Sequence, residues 1–286
     1  HPPGPRRRGR PPLLRVGASV KGPALVTGAS SGLGRAFAES LASRGHPLIA
    51  VARRGERLRE LADWALREHG VATTVLVADL ATDEGLAACR EAVDAVGVPL
   101  DVAVLNAGFG ASGAFAGIDR ARQSDMVRLN CVAVTDLAAH VLPAMVARGG
   151  GALVVLSSAA AWQPVPFMAT YAATKAYELH LTEAIAEELR GTGVRAVAVC
   201  PGPTRTEFTM SAGAGTTMRG VPFDDVDLVV RATWRALAAG RSRAPTGLVA
   251  RASLLSARFL PRRAVVRAAA LTHRRRGSLK GSDPRT

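Results

Sequence analysis

The fold of this chain is decided by the stretch Thr27-Gly28-Ala29-Ser30-Ser31-Gly32-Leu33-Gly34, which lies between a short apolar run and an amphipathic segment. This order predicts a strand that ends in a glycine-rich turn and continues into a helix. Glycines let the backbone pass close to a pyrophosphate, and the first N–H groups of the helix point at it. The stretch therefore predicts a dinucleotide phosphate site, although a tight turn without a ligand would have the same sequence.

Strand-length and helix-length segments alternate on the C-terminal side of this turn. Apolar runs lie at 24–27, 47–52, 74–77, 102–106, 152–157 and 194–200. Helical periodicity is found at 33–44, 54–68, 82–95, 123–148 and 169–190. We predict an α/β fold with a single Rossmann-type, doubly wound parallel sheet and helices on both faces. The ligand crevice of such a sheet lies beyond the carboxyl ends of its strands.

The basic charge of the chain is concentrated at its ends. The net charge is +14, but residues 1–22 hold six basic groups and no acid, and residues 251–286 hold ten basic groups and one acid. The 21 basic and 22 acidic residues between them nearly cancel, which argues against a specific nucleic-acid surface. We predict a disordered basic extension at 1–22, a catalytic domain at 23–250 and a basic helical tail at 251–286.

The cysteines indicate a reducing compartment. Cys89, Cys131 and Cys200 are odd in number and have no C-x-x-C spacing, so we expect free thiols and no metal site. No uninterrupted apolar run is long enough for a transmembrane helix, and the Pro/Arg-rich start has no signal-peptide centre. These features predict a cytoplasmic protein.

The end of the second predicted strand favours a phosphorylated cofactor. An acidic residue usually holds the ribose 2′-hydroxyl of NAD at this point, but here the strand ends Val51-Ala52-Arg53-Arg54. Guanidinium groups suit a 2′-phosphate, which predicts NADP(H), with Arg53 as the preferred contact and Arg54 as the second. The alternative is a pair of solvated arginines at the start of a helix.

Polar residues also follow the third and fourth strands, at the same predicted edge. Asp79 is followed by Leu80, and the fourth strand leads into Asn106-Ala107-Gly108. These residues could contact a cofactor. Alternatively, Asp79 could cap the next helix and Asn106 could tie a turn, which are common roles of such side chains.

Tyr171 and Lys175 are four residues apart in a predicted helix, so their side chains share one face. A nearby ammonium can lower the tyrosine pKa by about one to three units, which would make Tyr171 a usable general acid or base. Ser158 ends the fifth predicted strand and could stabilise charge on a carbonyl oxygen. Asn130 lies inside a long predicted helix, where its amide could hold a water for Lys175 or only satisfy a backbone group.

Together with Pro201-Gly202-Pro203-Thr204-Arg205-Thr206, these motifs resemble the short-chain dehydrogenases/reductases in order and spacing. The resemblance covers about residues 22–240. The segments 106–110, 163–175 and 200–208 look like a bacterial branch related to hydroxysteroid dehydrogenases and long-chain 3-oxoacyl reductases. Leu105 stands where the family often has a second Asn, and Ala160 where it often has Gly.

The resemblance implies an NADP(H)-dependent oxidoreductase. Tyr171 would protonate a carbonyl, Lys175 would hold the nicotinamide ribose, Ser158 would polarise the carbonyl and Asn130 would carry a proton relay. A homodimer or homotetramer, with the helix of Tyr171 at an interface, is also implied. The implied cofactor contacts are Gly28, Ser30, Ser31, Gly32, Leu33, Gly34, Arg53, Arg54, Asp79, Leu80, Asn106, Ala107, Gly108, Tyr171, Lys175, Pro201, Gly202, Thr204 and Thr206.

Apolar side chains dominate the segments expected to enclose the substrate. They are Phe109, Phe115, Trp162, Phe167, Met168, Phe208, Met210 and Met218. A small hydrophobic carbonyl or alcohol would fit such a lining, although part of this set is expected to be ordinary core.

Two other functions compete with this prediction. The motif Gly28-Ala29-Ser30-Ser31-Gly32 fits the G-x-S-x-G elbow of serine hydrolases. A hydrolase also needs a downstream acid and histidine, whereas His46, His69, His140 and His180 fall in or at the ends of predicted helices. The third possibility is a catalytically silent NADP-binding scaffold whose basic ends hold a partner.

The basic tail has two interpretations of its own. Beyond Pro261, Arg263, Arg267 and Arg274 fall on one side of a helical projection, and small apolar residues fall on the other. Such a helix could be a separable element that lies on anionic lipid, which would make the protein a peripheral membrane protein. It could equally pack on the catalytic domain with its arginines in water.

Overall fold

The computed structural model describes residues 21–205, residue 207 and residues 223–274, with side chains described as far as residue 271. Its strands are β1 (Ala24–Thr27), β2 (Leu48–Ala52), β3 (Thr73–Val77), β4 (Val102–Leu105), β5 (Gly151–Leu156), β6 (Val194–Pro201) and β7 (Arg243–Thr246). All neighbouring strands are parallel, in the order β3-β2-β1-β4-β5-β6-β7. The strand order reverses between β1 and β4, which places the crevice at the carboxyl ends of these two strands.

The helices cover both faces of the sheet. They are α1 (Gly32–Ala42), α2 (Gly55–His69), α3 (Asp83–Asp94), α4 (Arg120–Val127), α5 (Ala133–Arg148), α6 (Ala169–Glu188), α7 (Val226–Ala238), α8 (Gly247–Phe259) and α9 (Arg262–Arg274). One core cluster joins α1, α2 and α7 to the sheet, and a second joins α3, α5 and the end of α6. Successive strand residues alternate between the clusters, as Ala24 and Leu25 do in β1. The predicted fold class is confirmed.

The predicted elements agree with the observed ones within a few residues. No strand is predicted at β7 and no helix at α7, and α8 begins four residues before the predicted helical tail at 251–286. The strand β7 has only four residues, including Pro245. Pro245 is tolerated in this strand because β7 lies at the edge of the sheet. Residues 1–20 of the predicted extension lie outside the described residues. Its last residue, Gly22, donates its backbone N–H to Asp101 Oδ2 at 2.7 Å.

The predicted helix 123–148 is interrupted rather than continuous. It begins at Arg120, and a π turn (Arg128–Val132) joins α4 to α5. The sequence predicted no transmembrane helix, but by length and composition the whole stretch Arg120–Arg148 could cross a membrane. A core helix meets the same criterion, and Leu137 and Met145 of this stretch are fully buried in the core.

The C-terminal helices pack on the domain. The predicted boundary between residues 250 and 251 falls inside α8, which contacts the short 3₁₀ helix Ala159–Trp162 and β7. Ala250 is completely buried, and Val265 and Ala269 of α9 are also buried. These burials correspond to the interpretation in which the tail packs on the domain, at least for residues 251–271.

Candidate active site

The glycine-rich turn after β1 brings the N-terminus of α1 to the crevice. Gly28 has φ +68° and Gly32 has φ +55°, values that favour glycine because they lie in the left-handed region. The N-cap residue Ser31 makes no capping hydrogen bond with its side chain. In α3, by contrast, the N-cap Thr82 accepts a hydrogen bond from the N–H of Gly85 at 3.0 Å. The first turn of α1 thus keeps N–H groups that an anion can use.

Asn106 binds the end of β4 to the turn after β1. Its Nδ2 donates to the carbonyl oxygens of Thr27 at 3.0 Å and Gly28 at 3.3 Å. The Oγ1 of Thr27 accepts from the N–H groups of Asn106 at 2.9 Å and Ala107 at 3.0 Å. The Asn106 side chain therefore ties the turn after β1 to the end of β4. This structural role is the alternative to a cofactor contact that the sequence left open for Asn106.

Of the two arginines after β2, Arg54 lies over the glycine-rich turn. Its Nη2 donates to Ser31 Oγ at 2.6 Å and to Ser30 Oγ at 3.2 Å. Its Nη1 is 2.7 Å from Glu207 Oε2, and this contact lowers the pKa of Glu207. Arg53, the contact preferred from the sequence, is 74% exposed and lies 3.5 Å from Asp79 Oδ2.

Asp79 and Leu80 have mainly structural contacts. Asp79 Oδ1 accepts the N–H of Ala81 at 3.0 Å, while Thr82 and not Asp79 caps α3. The Leu80 side chain is buried in the core with Leu105. The side chain of Leu80 therefore faces away from solvent, and only its backbone remains for a ligand.

Ser158, Tyr171 and Lys175 converge at the carboxyl end of β5. Tyr171 is 7% exposed and hydrogen-bonds with Ser158. Lys175 Nζ lies 5.8 Å from the centre of the Tyr171 ring. The ammonium donates to the Leu156 carbonyl oxygen at 2.7 Å and to Glu178 Oε1 at 2.9 Å. The structure thus brings the three predicted side chains together.

The pKa of Tyr171 differs from the expectation. Burial raises this pKa, and the charge of Lys175 and the hydrogen bond with Ser158, which lower it, do not outweigh the burial. The negative charge of Glu178 raises the pKa further. Burial lowers the pKa of Lys175, but Glu178 and Tyr171 raise it more strongly, so that Lys175 stays protonated. The predicted lowering of the Tyr171 pKa is therefore wrong for the free protein, because removing a phenolate from water costs more than one paired ammonium recovers.

Asn130 lies in the π turn and is fully buried. Its Nδ2 donates to the Phe109 carbonyl oxygen at 3.1 Å and to Thr174 Oγ1 at 2.9 Å, and its Oδ1 accepts the N–H of Phe109 at 3.2 Å. A Cβ atom on Gly108 would lie 2.9 Å from Asn130 Oδ1 and 3.4 Å from Lys175 Nζ. The Asn130 amide is thus near Lys175, but it holds the strand-end loop and α6 together instead of leaving its donors open for a water.

The segment after β6 is held by a residue that the sequence analysis missed. Asp224 is buried, and its Oδ2 accepts from the N–H of Gly202 at 3.1 Å and from Thr246 Oγ1 at 3.2 Å. Pro201 ends β6, and Thr204 Oγ1 donates to the Gly202 carbonyl oxygen at 3.1 Å. The predicted contact Thr206 lies outside the described residues.

Tyr171 belongs to a cluster of apolar side chains. Ala111 and Met126 are buried with it, and Phe109, Ile118, Ala160 and Met168 pack against this cluster. Trp162 belongs to a different cluster with Leu179 and Cys200, and Phe115 is 64% exposed. The other aromatic and methionine residues named from the sequence, 208, 210 and 218, lie outside the described residues.

Phe167 is held in an unusual backbone conformation beside this cluster. Its φ is +67°, and its carbonyl oxygen accepts the N–H of Gly113 at 2.8 Å. Such a conformation costs a non-glycine residue about 1–3 kcal/mol. The contact joins the segment before α6 to the loop after β4.

The contacts of Ser30 do not suit a hydrolase nucleophile. Its Oγ accepts from Arg54. Among the described histidines, His46 bonds to the Gly22 carbonyl oxygen, His69 packs on Trp64 and His140 bonds to Asp94. No contact between Ser30 and a histidine is found within the described residues.

The three cysteines are free, and burial raises the pKa of Cys89 and of Cys200 to about 12 and that of Cys131 to about 11. In the described part of the chain, no group of three His, Cys, Asp or Glu residues could hold a metal ion.

Comparison with known proteins identifies the family. A family model described as short chain dehydrogenase matches residues 23–216. A very-long-chain 3-oxoacyl-CoA reductase from Pyricularia oryzae is 35% identical over 176 residues, 60% of this chain and 53% of that protein. The 7beta-hydroxysteroid dehydrogenase of Clostridium sardiniense is 35% identical over 184 residues, 64% of this chain and 69% of the enzyme. The chain thus spans only about half the length of the first relative.

Solved structures agree with this result. A short-chain dehydrogenase from Sphingobium yanoikuyae in complex with NADPH is 36% identical, with a TM-score of 0.73 over 82% of this chain and 92% of that chain. Three other similar structures contain 5-hydroxy-NADP, NADP and NADPH, respectively. Because the family model covers more than half of the sequence, this chain belongs to the short-chain dehydrogenase family.

Proposed function

We propose that this chain is an NADP(H)-dependent oxidoreductase that interconverts a carbonyl and an alcohol on a small hydrophobic substrate. One observation carries the proposal: buried Tyr171 hydrogen-bonds to Ser158 and shares a helix face with Lys175, beside the crevice of a Rossmann-type sheet. The apolar cluster around Tyr171 supports a hydrophobic substrate.

The residues of the crevice fit NADP(H). The N-terminus of α1 suits the pyrophosphate because no side chain of the N-cap occupies its N–H groups. Arg53 and Arg54 suit the 2′-phosphate. Hydrogen bonds to Ser30 and Ser31 hold the Arg54 guanidinium over the glycine-rich turn. A bound 2′-phosphate would have to replace Glu207 as the ion-pair partner of Arg54. When bound, the cofactor supplies or accepts the hydride.

The proton chemistry belongs to the chain itself. Tyr171 donates its proton to the carbonyl oxygen during reduction and accepts a proton during oxidation. Ser158 donates a hydrogen bond to the same oxygen. Lys175 keeps an ammonium next to Tyr171, and Asn130 fixes the loop after β4 against α6.

Substitution of the two tyrosines tests the proposal. NADPH oxidation is first measured with steroids, retinoids, fatty acyl ketones and small quinones. Tyr171→Phe should then lower the rate by about 10²- to 10⁴-fold and leave NADPH binding nearly intact. Tyr177 is six residues away on the same helix and 42% exposed, so Tyr177→Phe is the matched control and should keep the wild-type rate. More than about a tenth of the rate in Tyr171→Phe would contradict the role of Tyr171.

Cofactor preference is tested at the second strand. Arg53→Asp and Arg54→Asp should each weaken NADPH binding by about tenfold or more, with a much smaller effect on NADH. Arg67→Asp, an exposed residue in the last turn of α2, carries the same charge change and should alter neither affinity. A wild-type preference for NADH would contradict the proposal.

Oligomerisation is typical of this family, and we propose a homodimer or homotetramer in the cytoplasm, with α6 at an interface. Light scattering of the purified chain would give the mass directly. A monomeric mass at micromolar concentration would contradict the proposed homodimer or homotetramer.

The C-terminal helices also suit contact with anionic lipid. Residues 247–274 contain six arginines and no acid. Leu248, Leu255, Phe259, Leu260 and Leu271 are more than half exposed. Because α8 packs on the domain, deletion is a poor test. The variant Leu255→Ser/Phe259→Ser should lose salt-sensitive co-sedimentation with anionic vesicles while it keeps NADPH binding. Wild-type binding no greater than to neutral vesicles would contradict lipid contact.

A catalytically silent scaffold is the remaining alternative. It would bind NADPH without turnover on every carbonyl of the panel. The presence of Ser158, Tyr171 and Lys175 in one cluster favours catalysis over this alternative. No finding supports a serine hydrolase.

A further inference from the structure

Glu178 is a buried carboxylate that the proposed chemistry does not use. It is 1% exposed and lies one turn after Lys175 on α6. Its Oε1 is 2.9 Å from Lys175 Nζ, and its Oε2 is buried without a hydrogen-bond partner among the described residues. A buried ion pair with an unpaired oxygen contributes little to stability, because desolvation offsets the attraction between the charges. The position of Glu178 therefore calls for a different explanation.

The Glu178 carboxylate limits the hydrogen-bonding directions that remain open to the Lys175 ammonium. A lysine ammonium has three donors. One goes to the Leu156 carbonyl oxygen and one to Glu178, which leaves the third for the side where Gly108 and Tyr171 lie. Burial raises the pKa of Glu178 to about 7. Above this pH the Glu178 carboxylate makes the pair electrically neutral, so that ionisation of Tyr171 would place an uncompensated negative charge in a buried site.

We propose that Glu178 is a positioning residue that fixes and neutralises the Lys175 ammonium, so that Tyr171 keeps its proton and is ready to act as a donor for carbonyl reduction. The proposal rests on the proposed function only for the roles of Tyr171 and Lys175. It agrees with the direction in which Glu178 moves the pKa of Tyr171. The other titratable groups that its charge affects are Cys131 of the π turn and Cys200 of β6.

The composition of the chain permits a direct test, because Tyr171 and Tyr177 are its two tyrosines. In a Tyr177→Phe background, the ultraviolet absorbance of tyrosinate reports Tyr171 alone, and the variant without tyrosine provides the blank. Glu178→Gln keeps the shape and the oxygen that accepts from Lys175 but removes the charge. We expect the pKa of Tyr171 to fall by about one unit or more.

The matched control is Glu187→Gln in the same background. Glu187 pairs with Arg190 at 2.9 Å with the same spacing of three residues, but this pair is exposed. Its removal should leave the titration of Tyr171 unchanged. If Glu178→Gln fails to fold, Glu178→Asp, which draws the carboxylate back by one methylene, should lower the Tyr171 pKa by a smaller amount.

An unchanged or higher pKa of Tyr171 in the folded Glu178 variant would overturn the proposal. An unchanged value would mean that the two groups are not coupled, and a higher value would mean that Glu178 is needed to keep Lys175 charged. The titration needs no substrate, so it remains decisive even if the panel of carbonyls shows no turnover.

Discussion

Gly34→Ala is expected to damage both the fold and the cofactor site. A Cβ atom at this position would lie 2.2 Å from the carbonyl oxygen of Gly28 and 2.4 Å from Asn106 Nδ2, well under the 3.0 Å that real Cβ atoms keep. Neither atom can move alone, because Asn106 is bonded to the backbone at Thr27 and Gly28. The N-terminus of α1 must therefore move away from the turn by roughly 1 Å to regain contact distance.

The size of the effect follows from two opposing contributions. Forcing a methyl group into a closely packed place costs about 1–3 kcal/mol, and alanine gains up to about 1 kcal/mol over glycine in a helix. We expect the free energy of unfolding to fall by up to about 2 kcal/mol. Because the displaced N–H groups would no longer face the pyrophosphate, we also expect the NADPH affinity to fall by about tenfold or more.

Urea unfolding and NADPH fluorescence titration measure the two quantities. Gly117→Ala is the matched control, because Gly117 is exposed and has no left-handed φ, and a Cβ atom added to it would meet no other atom within 4 Å. It should change neither quantity. Wild-type stability together with wild-type NADPH affinity in Gly34→Ala would refute the close approach of α1 to the turn.

Three further outcomes are expected. Asn130→Ala should lower the free energy of unfolding by about 2–4 kcal/mol in urea titrations, because both backbone groups of Phe109 lose their partner; a loss below about 1 kcal/mol would contradict this. Since burial raises the pKa of Tyr171, kcat/KM for alcohol oxidation, which needs the phenolate, should still rise with pH in the alkaline range, whereas kcat/KM for carbonyl reduction should stay level through neutral pH. An oxidation profile already level at neutral pH would show that the pKa is lowered instead. Cys89 and Cys200, whose pKa burial raises to about 12, should react with a thiol reagent only after unfolding, and rapid labelling of native protein at either position would contradict their burial.

The sequence predicted most of the sheet because the necessary information is local. Short apolar runs located six of the strands, helical periodicity located five helical segments, and the glycines at 28, 32 and 34 located the turn. None of these patterns located β7. This strand is only four residues long, and its Pro245 argues against a strand unless the strand is at an edge. Edge position is a property of the complete sheet, so no local pattern could reveal it.

The candidate site, too, has features that follow from local sequence and features that depend on the complete fold. The sequence by itself determined the residue types and spacings that carry the chemistry, such as Tyr171 and Lys175 on one helix face, because helical geometry fixes the distance between neighbouring turns. Only the tertiary structure decided that the pair of Lys175 and Glu178 is buried and that Arg54 reaches Glu207, 153 residues away. It also decided the direction of the Tyr171 pKa. Burial and contacts between distant elements depend on how helices pack on the sheet, and the balance between desolvation and charge is set only after that packing is complete.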